Sequence, residues 1–172
     1  ATGYSLWWKR VALLDVFVLA GLYTVRLAAG HVVTGIAWSA WLLVFAMFIF
    51  LSLALLKRFP ELQELRRQNQ TRAEGRGYSV ADTELVTTLG LMCGALAVLV
   101  MALYVNSEQV TKLYRRPALL LAGCPVLLFW ISRLWLLAHR GRMHADPVLF
   151  VLKDPLSYGA GALLLLIVWL AT

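Results

Sequence analysis

Apolar residues dominate five long segments of this chain, at about 6–29, 38–56, 85–105, 117–138 and 156–172, with charged and turn-forming residues between them. Crossing a bilayer takes roughly twenty mostly apolar residues in a helix, and the last segment meets that length only with tilt or local thinning. The pattern predicts an all-α polytopic membrane protein with five transmembrane helices in one membrane domain, 1–172. Connector 57–80 is predicted as a cytosolic loop, polar from Gln63 to Gly77, and 139–154 as an interfacial segment. Local signals sharpen the boundaries. Ser79-x-x-Asp82 is a capping-box pattern ahead of the third span, and Asp146-Pro147 and Asp154-Pro155 each read as a cap followed by proline at the first helical position. A short interfacial helix is therefore expected within Val148 to Lys153. Gly90-x-x-x-Gly94 allows close helix approach, for which simple packing is the ordinary explanation.

Charge sets the expected orientation. Lys9 and Arg10, then Lys57, Arg58, Arg66, Arg67, Arg72 and Arg76, then Arg140, Arg142 and Lys153 fall on one side of five alternating spans, eleven in all. Only Lys112, Arg115 and Arg116 fall on the other, three in all. The positive-inside rule then puts the amino end inside and the carboxyl end outside. Trp7, Trp8, Trp38, Trp41 and Trp169 sit at span ends, where interfacial aromatics belong.

Composition agrees with a membrane setting. The chain is 61% hydrophobic, well above the roughly 45–50% apolar usage of soluble domains, and its mean hydropathy is +0.75. The net charge of +7 does not point to nucleic acid, because the basic residues lie in loops between apolar spans. Topology and lipid headgroups account for that charge, and it also suits a phosphorylated substrate. The expected location is the inner, cytoplasmic membrane of a bacterium. Cys93 and Cys124 lie on different spans at different depths, so neither a disulfide nor a thiolate metal site is inferred. The start at Ala1 does not read as a signal peptide, since Asp15 interrupts the apolar run, and it is consistent with an internal piece of something longer.

Ionisable residues inside spans are functional candidates by default. Asp15 lies about one and a half turns in from Arg10, and Arg133 a similar distance from Arg140, roughly 8–9 Å along each helix axis. They are expected at matching depth, and hence as a pair. Arg133 and Arg140, seven apart, share a helix face. With Lys57 and Arg58 they would surround a phosphate-sized anion, Arg offering forked donors and Lys a point charge. The bland alternative is an Asp15–Arg133 pair serving folding alone, with snorkelling loop charges around it. Arg26 near the outer end of its span fits snorkelling. His139 and His144 flank Arg140 and Arg142, and lone histidines there are more often interfacial filler than ligands. No metal-ligand cluster, nucleophile triad, phosphate-binding glycine loop or nucleic-acid module is present.

The run Asp15 to Gly30 (Asp-Val-Phe-Val-Leu-Ala-Gly-Leu-Tyr-Thr-Val-Arg-Leu-Ala-Ala-Gly) resembles a middle span of the UbiA family of intramembrane prenyltransferases. Leu53-Ala-Leu-Leu-Lys-Arg-Phe-Pro-Glu-Leu62, Gly75-Arg-Gly-Tyr-Ser-Val-Ala-Asp82, Leu103-Tyr-Val-Asn-Ser107 and Phe129–Asp154 look like one branch of it. That branch holds decaprenyl-phosphate phosphoribosyltransferases and the UbiA halves of fusions with a haloacid-dehalogenase domain. The resemblance spans nearly the whole chain and is most specific over Ile131–Lys153.

It implies nine transmembrane helices around a cavity open to the cytosol, with polar motifs in the cytosolic loops after helices two and six. The expected orientation matches the five spans to helices five to nine, and connector 57–80 to the second-motif loop. Two departures stand out. The aspartate-rich first motif, which in the family holds Mg²⁺ and diphosphate, would lie before Ala1, so Mg²⁺ is implied only with that missing motif and is not ligated by this chain alone. The second motif, Asp-x-x-x-Asp, is replaced by Lys57-Arg-Phe-Pro-Glu61, which exchanges metal-mediated for direct phosphate binding. The resemblance thus implies the carboxyl-terminal half of a polyprenyl transferase of the phosphoribosyl-handling branch, not catalytic by itself. In that reading Lys57 and Arg58 bind phosphate, Glu61 orients the loop, Arg133 and Arg140 neutralise developing charge, and Asp15 orients Arg133. His139, Arg142 and His144 complete the substrate-binding set. Expected partners are membrane lipid, polyprenyl phosphate, and either missing amino-terminal helices or a partner membrane subunit. The alternative is a non-catalytic membrane scaffold or lipid-binding subunit. A transporter fragment is a weaker third reading, since no interrupted helix pair or repeat occurs.

Overall fold

The computed structural model describes residues 12–34, 39–70, 77–143 and 146–172. Among them all regular structure is helical, with no strand. The helices are α1 (Leu14–Thr34), α2 (Ala40–Arg67), α3 (Thr83–Val105), α4 (Glu108–Leu113), α5 (Gly123–His139), α6 (Pro147–Val151) and α7 (Pro155–Ala171). Single 3-10 segments lead into α3 (Val80–Asp82) and α5 (Pro117–Ala122).

The expected caps are in place. Asp82 accepts from the Ser79 N–H at 2.7 Å and from the Ser79 hydroxyl at 3.0 Å. Asp146 accepts from the Val148 N–H at 3.0 Å, and Asp154 from the Ser157 N–H at 2.8 Å. Each satisfies an amide that a helix start leaves without a partner. The short interfacial helix is α6.

Three boundaries differ from expectation. Segment 57–80 is not a loop throughout, because α2 runs on through Pro60 to Arg67. Lys57 and Arg58 end the apolar stretch but not the helix. Good helix formers follow Pro60, and Leu62 is buried against the core. Asn69, at φ 54°, then turns the chain out of the helical conformation. The first helix, expected over 6–29, is described from Leu14 and continues past Gly30 to Thr34; residues 6–11 lie outside the described residues, as do Trp7, Trp8, Lys9, Arg10, Trp38, Arg72 and Arg76. Helix α4, in the third connector between 105 and 117, is a further difference from expectation.

Helices α2 and α3 form the central pair, with α1 against α2, α5 against α3, and α7 against α5. Leu55, Leu56, Phe59, Val86, Leu134 and Trp135 fill the space between them. The Gly90/Gly94 spacing is where α3 receives α5. A Cβ on Gly90 would lie 2.0 Å from Trp135 Cζ2, and one on Gly94 2.6 Å from Ile131 Cγ2. Ser52 of α2 joins the same contact: its hydroxyl donates to the Gly90 carbonyl at 2.7 Å and accepts from Trp135 Nε1 at 3.3 Å. Small residues and one shared hydroxyl are how apolar helices associate where lipid removes the hydrophobic drive between them. The packing explanation of these glycines is the one observed.

Three helical stretches, Ala40–Arg67, Val80–Val105 and Pro117–His139, are long and apolar enough to cross a membrane, and α7 is a shorter apolar helix. Large apolar side chains also cover the outside of the bundle; Leu165 and Trp169 are each 73% exposed. Contiguous apolar surface of this extent suits contact with lipid rather than water.

The Gly90 contact gives a direct test. Gly90→Ala forces the Trp135 ring to move and should destabilise by about 1–3 kcal/mol, the usual cost of overpacking. Gly161→Ala in α7 has no atom within 4 Å of the new methyl and should stabilise by up to about 1 kcal/mol through helix propensity. Thermal unfolding in detergent reads both, and a Gly90→Ala protein as stable as the wild type would contradict the packing account.

Candidate functional site

The start of α1, the end of α2, the start of α3 and the end of α5 meet at one end of the bundle, and the charges there are sorted into pairs. Asp15, in the first turn of α1, is fully buried. Arg58 on α2 is 4% exposed and donates from Nε to Asp15 Oδ2 at 2.8 Å. Its Nη1 donates to both Glu61 oxygens, at 3.1 and 3.2 Å. The Tyr78 hydroxyl donates to Asp15 Oδ1 at 2.7 Å and accepts from the Leu13 N–H at 2.9 Å. Burial, reinforced by the Asp15 hydrogen bond and charge, pushes the Tyr78 phenol well above its usual range, so it remains a donor.

A second group joins α5 to α7. Arg133 forks onto Asp154, Nη1 to Oδ2 at 2.7 Å and Nη2 to Oδ1 at 2.9 Å. The Ser157 hydroxyl also donates to Asp154 Oδ2, at 2.7 Å, and accepts from Trp130 Nε1 at 3.0 Å. The Arg133 hydrogen bond, against the opposing effect of burial and with help from Ser157, holds the Asp154 carboxyl below the usual carboxylate range. The third pair is Lys57 with Asp146, which anchors the start of α6 to α2.

The expected Asp15–Arg133 pair is therefore not formed, and Asp15 does not orient Arg133. Matching depth was the wrong criterion, because each residue finds a nearer partner outside the spans considered. Asp15 meets Arg58 because α1 packs on α2 and α2 continues as helix past Lys57. Arg133 meets Asp154 because the residue capping α7 lies beside α5. Glu61 sits on α2, three residues after Arg58, and accepts from Arg58 Nη1. The proposed anion cage of Lys57, Arg58, Arg133 and Arg140 is replaced by three separate ion pairs, with Arg140 exposed beyond the end of α5. Arg142 is exposed just after Gly141, whose φ is +68°. His144 lies outside the described residues.

His139 has a defined place. Its ring stacks on Phe59, centroids 5.8 Å apart and planes at 23°, while Phe59 meets Trp135 edge-on at 5.9 Å. The stacked pair borders an open cleft of about 630 Å³ between the end of α2 and the start of α3, lined also by Gln63, Arg66, Glu84 and Thr87. Sequence reasoning missed the last four. The available signal was periodic: Thr83 and Thr87, and Glu84 and Thr88, are four apart and so share a helix face at the polar edge of an apolar helix.

Over 162 residues the chain is 41% identical to the uncharacterized protein y4nM of Sinorhizobium fredii, a match covering 94% of this chain and 31% of that protein. Over 144 residues it is 38% identical to nodulation protein NoeC of Azorhizobium caulinodans, covering 82% of this chain and 46% of NoeC. The chain thus spans less than half the length of either relative. No family model matches the sequence, and no solved structure matches it.

The acidic residues at this end do not fit Mg²⁺. Among the described residues no three His, Cys, Asp or Glu side chains come together, and Asp15, Glu61, Asp146 and Asp154 each face a basic partner. A divalent cation prefers several oxygen ligands without a competing cation, so no step is assigned to it on this chain.

Two outcomes follow from the pairing. Asp15→Ala leaves Arg58 buried and short of a partner and should destabilise by about 3–5 kcal/mol. Combined with Arg58→Ala the loss should fall short of the sum by about 0.5–3 kcal/mol, whereas Asp15→Ala with Arg133→Ala should be additive within about 0.5 kcal/mol. A thermal-unfolding double-mutant cycle with the reverse pattern would restore the Asp15–Arg133 pair.

The second outcome concerns pH. Burial opposes ionisation of Asp146, but the Lys57 ammonium and the Val148 N–H outweigh it and lower its pKa. A lowered folded-state pKa contributes stability above the ordinary carboxylate value, about 3.9 for Asp, and that stability is lost as pH falls through the lowered value. Hydrogen exchange at residues 146–151 should therefore stay slow down to below that value, and Lys57→Ala should move the onset of faster exchange to higher pH.

Proposed function

We propose that the chain is the carboxyl-terminal half of a UbiA-like, membrane-embedded polyprenyl transferase that handles polyprenyl phosphate and a phosphoribosyl-type donor at the inner membrane face. Its finer topology in this reading is five spans, amino end inside and carboxyl end outside, in the cytoplasmic membrane of a bacterium. The observation that carries the reading is the open cleft, bordered by a cation and an aromatic pair, at the polar end of helices long enough to cross a bilayer. An isoprenoid tail would lie along the exposed leucines, and its phosphate would reach Arg140 and Arg142, which have no ion-pair partner among the described residues. Arg58, Asp15 and Glu61 act here as the anchor that fixes the end of α2, and Arg133 as the group that positions α7. Amino-terminal helices or a partner membrane subunit would supply the rest of the active site. One relative is named a nodulation protein, and we extend that biological setting to this chain.

A second reading, a non-catalytic membrane scaffold, is favoured by one observation: Asp15, Arg58 and Arg133, the groups best suited by position to chemistry, are engaged in internal pairs.

Binding separates the two. In the full-length protein, reconstituted in nanodiscs, Arg140→Ala and Arg142→Ala should each weaken polyprenyl phosphate binding by about 1.5–3 kcal/mol, the range for charge-assisted hydrogen bonds. Unfolding temperature should not move, since exposed charges contribute little to folding. Unchanged affinity in both variants, with no transfer from a phosphoribosyl diphosphate donor, would leave the scaffold.

A further inference from the structure

Helix α1 is held to the bundle along one side. Among the described residues it packs on α2, through the Asp15–Arg58 pair near one end and, farther along, the Tyr23–Phe50 ring contact with centroids 5.2 Å apart. Eight residues separate these contacts on each helix, so the two run antiparallel and level with one another. Helix α2 is long and apolar enough to cross a membrane. Residues level with Phe50 then lie in hydrocarbon.

The opposite side of α1 is bare. Leu22, Val25, Arg26 and Ala29 are exposed, Val25 by 64%, and spacings of three and four put them on one face. A Cβ on Gly21, one turn before Val25, would meet nothing within 4 Å. Arg26 interrupts this apolar face at mid-helix, eleven residues from Asp15 and eight from Thr34, roughly 16 and 12 Å along the axis. Snorkelling would send its guanidinium toward the Thr34 end. It instead folds back over the Tyr23 ring, 5.6 Å from the centroid. No ion-pair partner stands beside it among the described residues.

An exposed cation in water needs no occupant, but one facing hydrocarbon does. A single aromatic face does not replace the hydration lost there, and charges at that depth pair with one another. A lipid phosphate stays at the membrane surface, too far away to serve. A second copy of this chain offers nothing either. Of its nine acidic residues only Asp15 lies within an apolar stretch, and that carboxylate is fully buried against Arg58.

We infer that the bare face of α1 is an interface for a membrane helix from outside residues 1–172 that carries an aspartate or glutamate paired with Arg26. That helix belongs to the same polypeptide: the matched stretches cover only 31% of one relative and 46% of the other, leaving ample length for it. Gly21 gives it room to approach the α1 backbone. The interface does not depend on transferase chemistry, since a scaffold would carry the same helix.

The test uses the full-length protein in phosphatidylcholine nanodiscs, with p-benzoylphenylalanine in place of Val25 as the probe. Irradiation should join residue 25 to an apolar peptide from outside residues 1–172 that contains an aspartate or glutamate. Gly21→Leu fills the room at the interface and should abolish that crosslink. Arg26→Leu should lower the unfolding temperature by about 5 °C or more, because it leaves the partner carboxylate buried without a cation. Arg26→Lys should recover part of that loss, as should Arg26→Leu combined with leucine at the acidic position of the crosslinked peptide. The crosslink is read with Arg26 intact, so it decides even where Arg26→Leu does not fold. Adducts with lipid alone, or crosslinks only to residues 1–172 of a second copy, overturn the inference. So does an Arg26→Leu protein that unfolds at the wild-type temperature. Polyprenyl phosphate binding is measured on the same nanodiscs. Its absence beside the expected crosslink sinks the transferase and keeps the interface.

Discussion

A carboxylate with no exposed surface among apolar helices needs a directed polar partner, and for Asp15 that partner is Arg58. Three elements hang on this contact. The start of α1 is pinned to α2 through the ion pair. The approach to α3 is pinned to both through Tyr78, whose hydroxyl donates a hydrogen bond to Asp15 and accepts one from the Leu13 amide. The end of α2 is tied in on both sides of Pro60, since Arg58 reaches Asp15 through Nε and Glu61, three residues on, through Nη1. A buried pair of this kind is weak evidence for extra stability, since desolvation offsets much of the attraction. Its effect is on geometry, because the helices must sit where Asp15 and Arg58 meet.

The middle of the bundle is held differently. Apolar surface alone discriminates poorly between helix registers in lipid, because leucine against leucine and leucine against an acyl chain are nearly equivalent. The register of α3 against α5 is set instead by shape, with the Trp135 ring in the space left by Gly90 and Ile131 against Gly94. Ser52 adds a polar tie by bridging the Gly90 carbonyl and the Trp135 indole. The two devices divide the work, one fixing the polar end and the other the interior.

This division explains what could be read from the sequence. Capping at Ser79–Asp82, Asp146 and Asp154 was legible because each cap is a local bond spanning two or three residues. Three of the apolar stretches, at about 38–56, 85–105 and 117–138, were legible by length as helices able to cross a membrane, and the Gly90/Gly94 spacing marked a helix contact. Charge pairing was not legible, since Asp15 and Arg58 are 43 positions apart and Arg133 and Asp154 are 21 apart, and depth along a helix says nothing about azimuth. The end of α2 was misread because a charged dipeptide marks the edge of hydrocarbon, which is a property of the solvent, whereas the end of a helix is a property of backbone hydrogen bonding. The cleft was missed because its residues form no motif; only a helical period connects Thr83 to Thr87 and Glu84 to Thr88.

The paired and unpaired charges at the polar end have different uses open to them. A ligand phosphate competing for Arg58 or Arg133 would have to displace a carboxylate already held by short, directed bonds and leave that carboxylate buried without its cation, a loss of several kcal/mol before any gain. Arg66, Arg140 and Arg142 carry no such encumbrance among the described residues, and their charges are already solvated, so binding an anion there exchanges water for phosphate at little structural expense. The buried pairs, by contrast, tie α1 to α2 and α5 to the start of α7. The Phe59–His139 stack stands where the two sets meet, since Phe59 belongs to the core through Trp135 and His139 opens onto the cleft. A change in the buried network that tilted the end of α2 would reach the cleft through Phe59, which follows Arg58 directly in the chain.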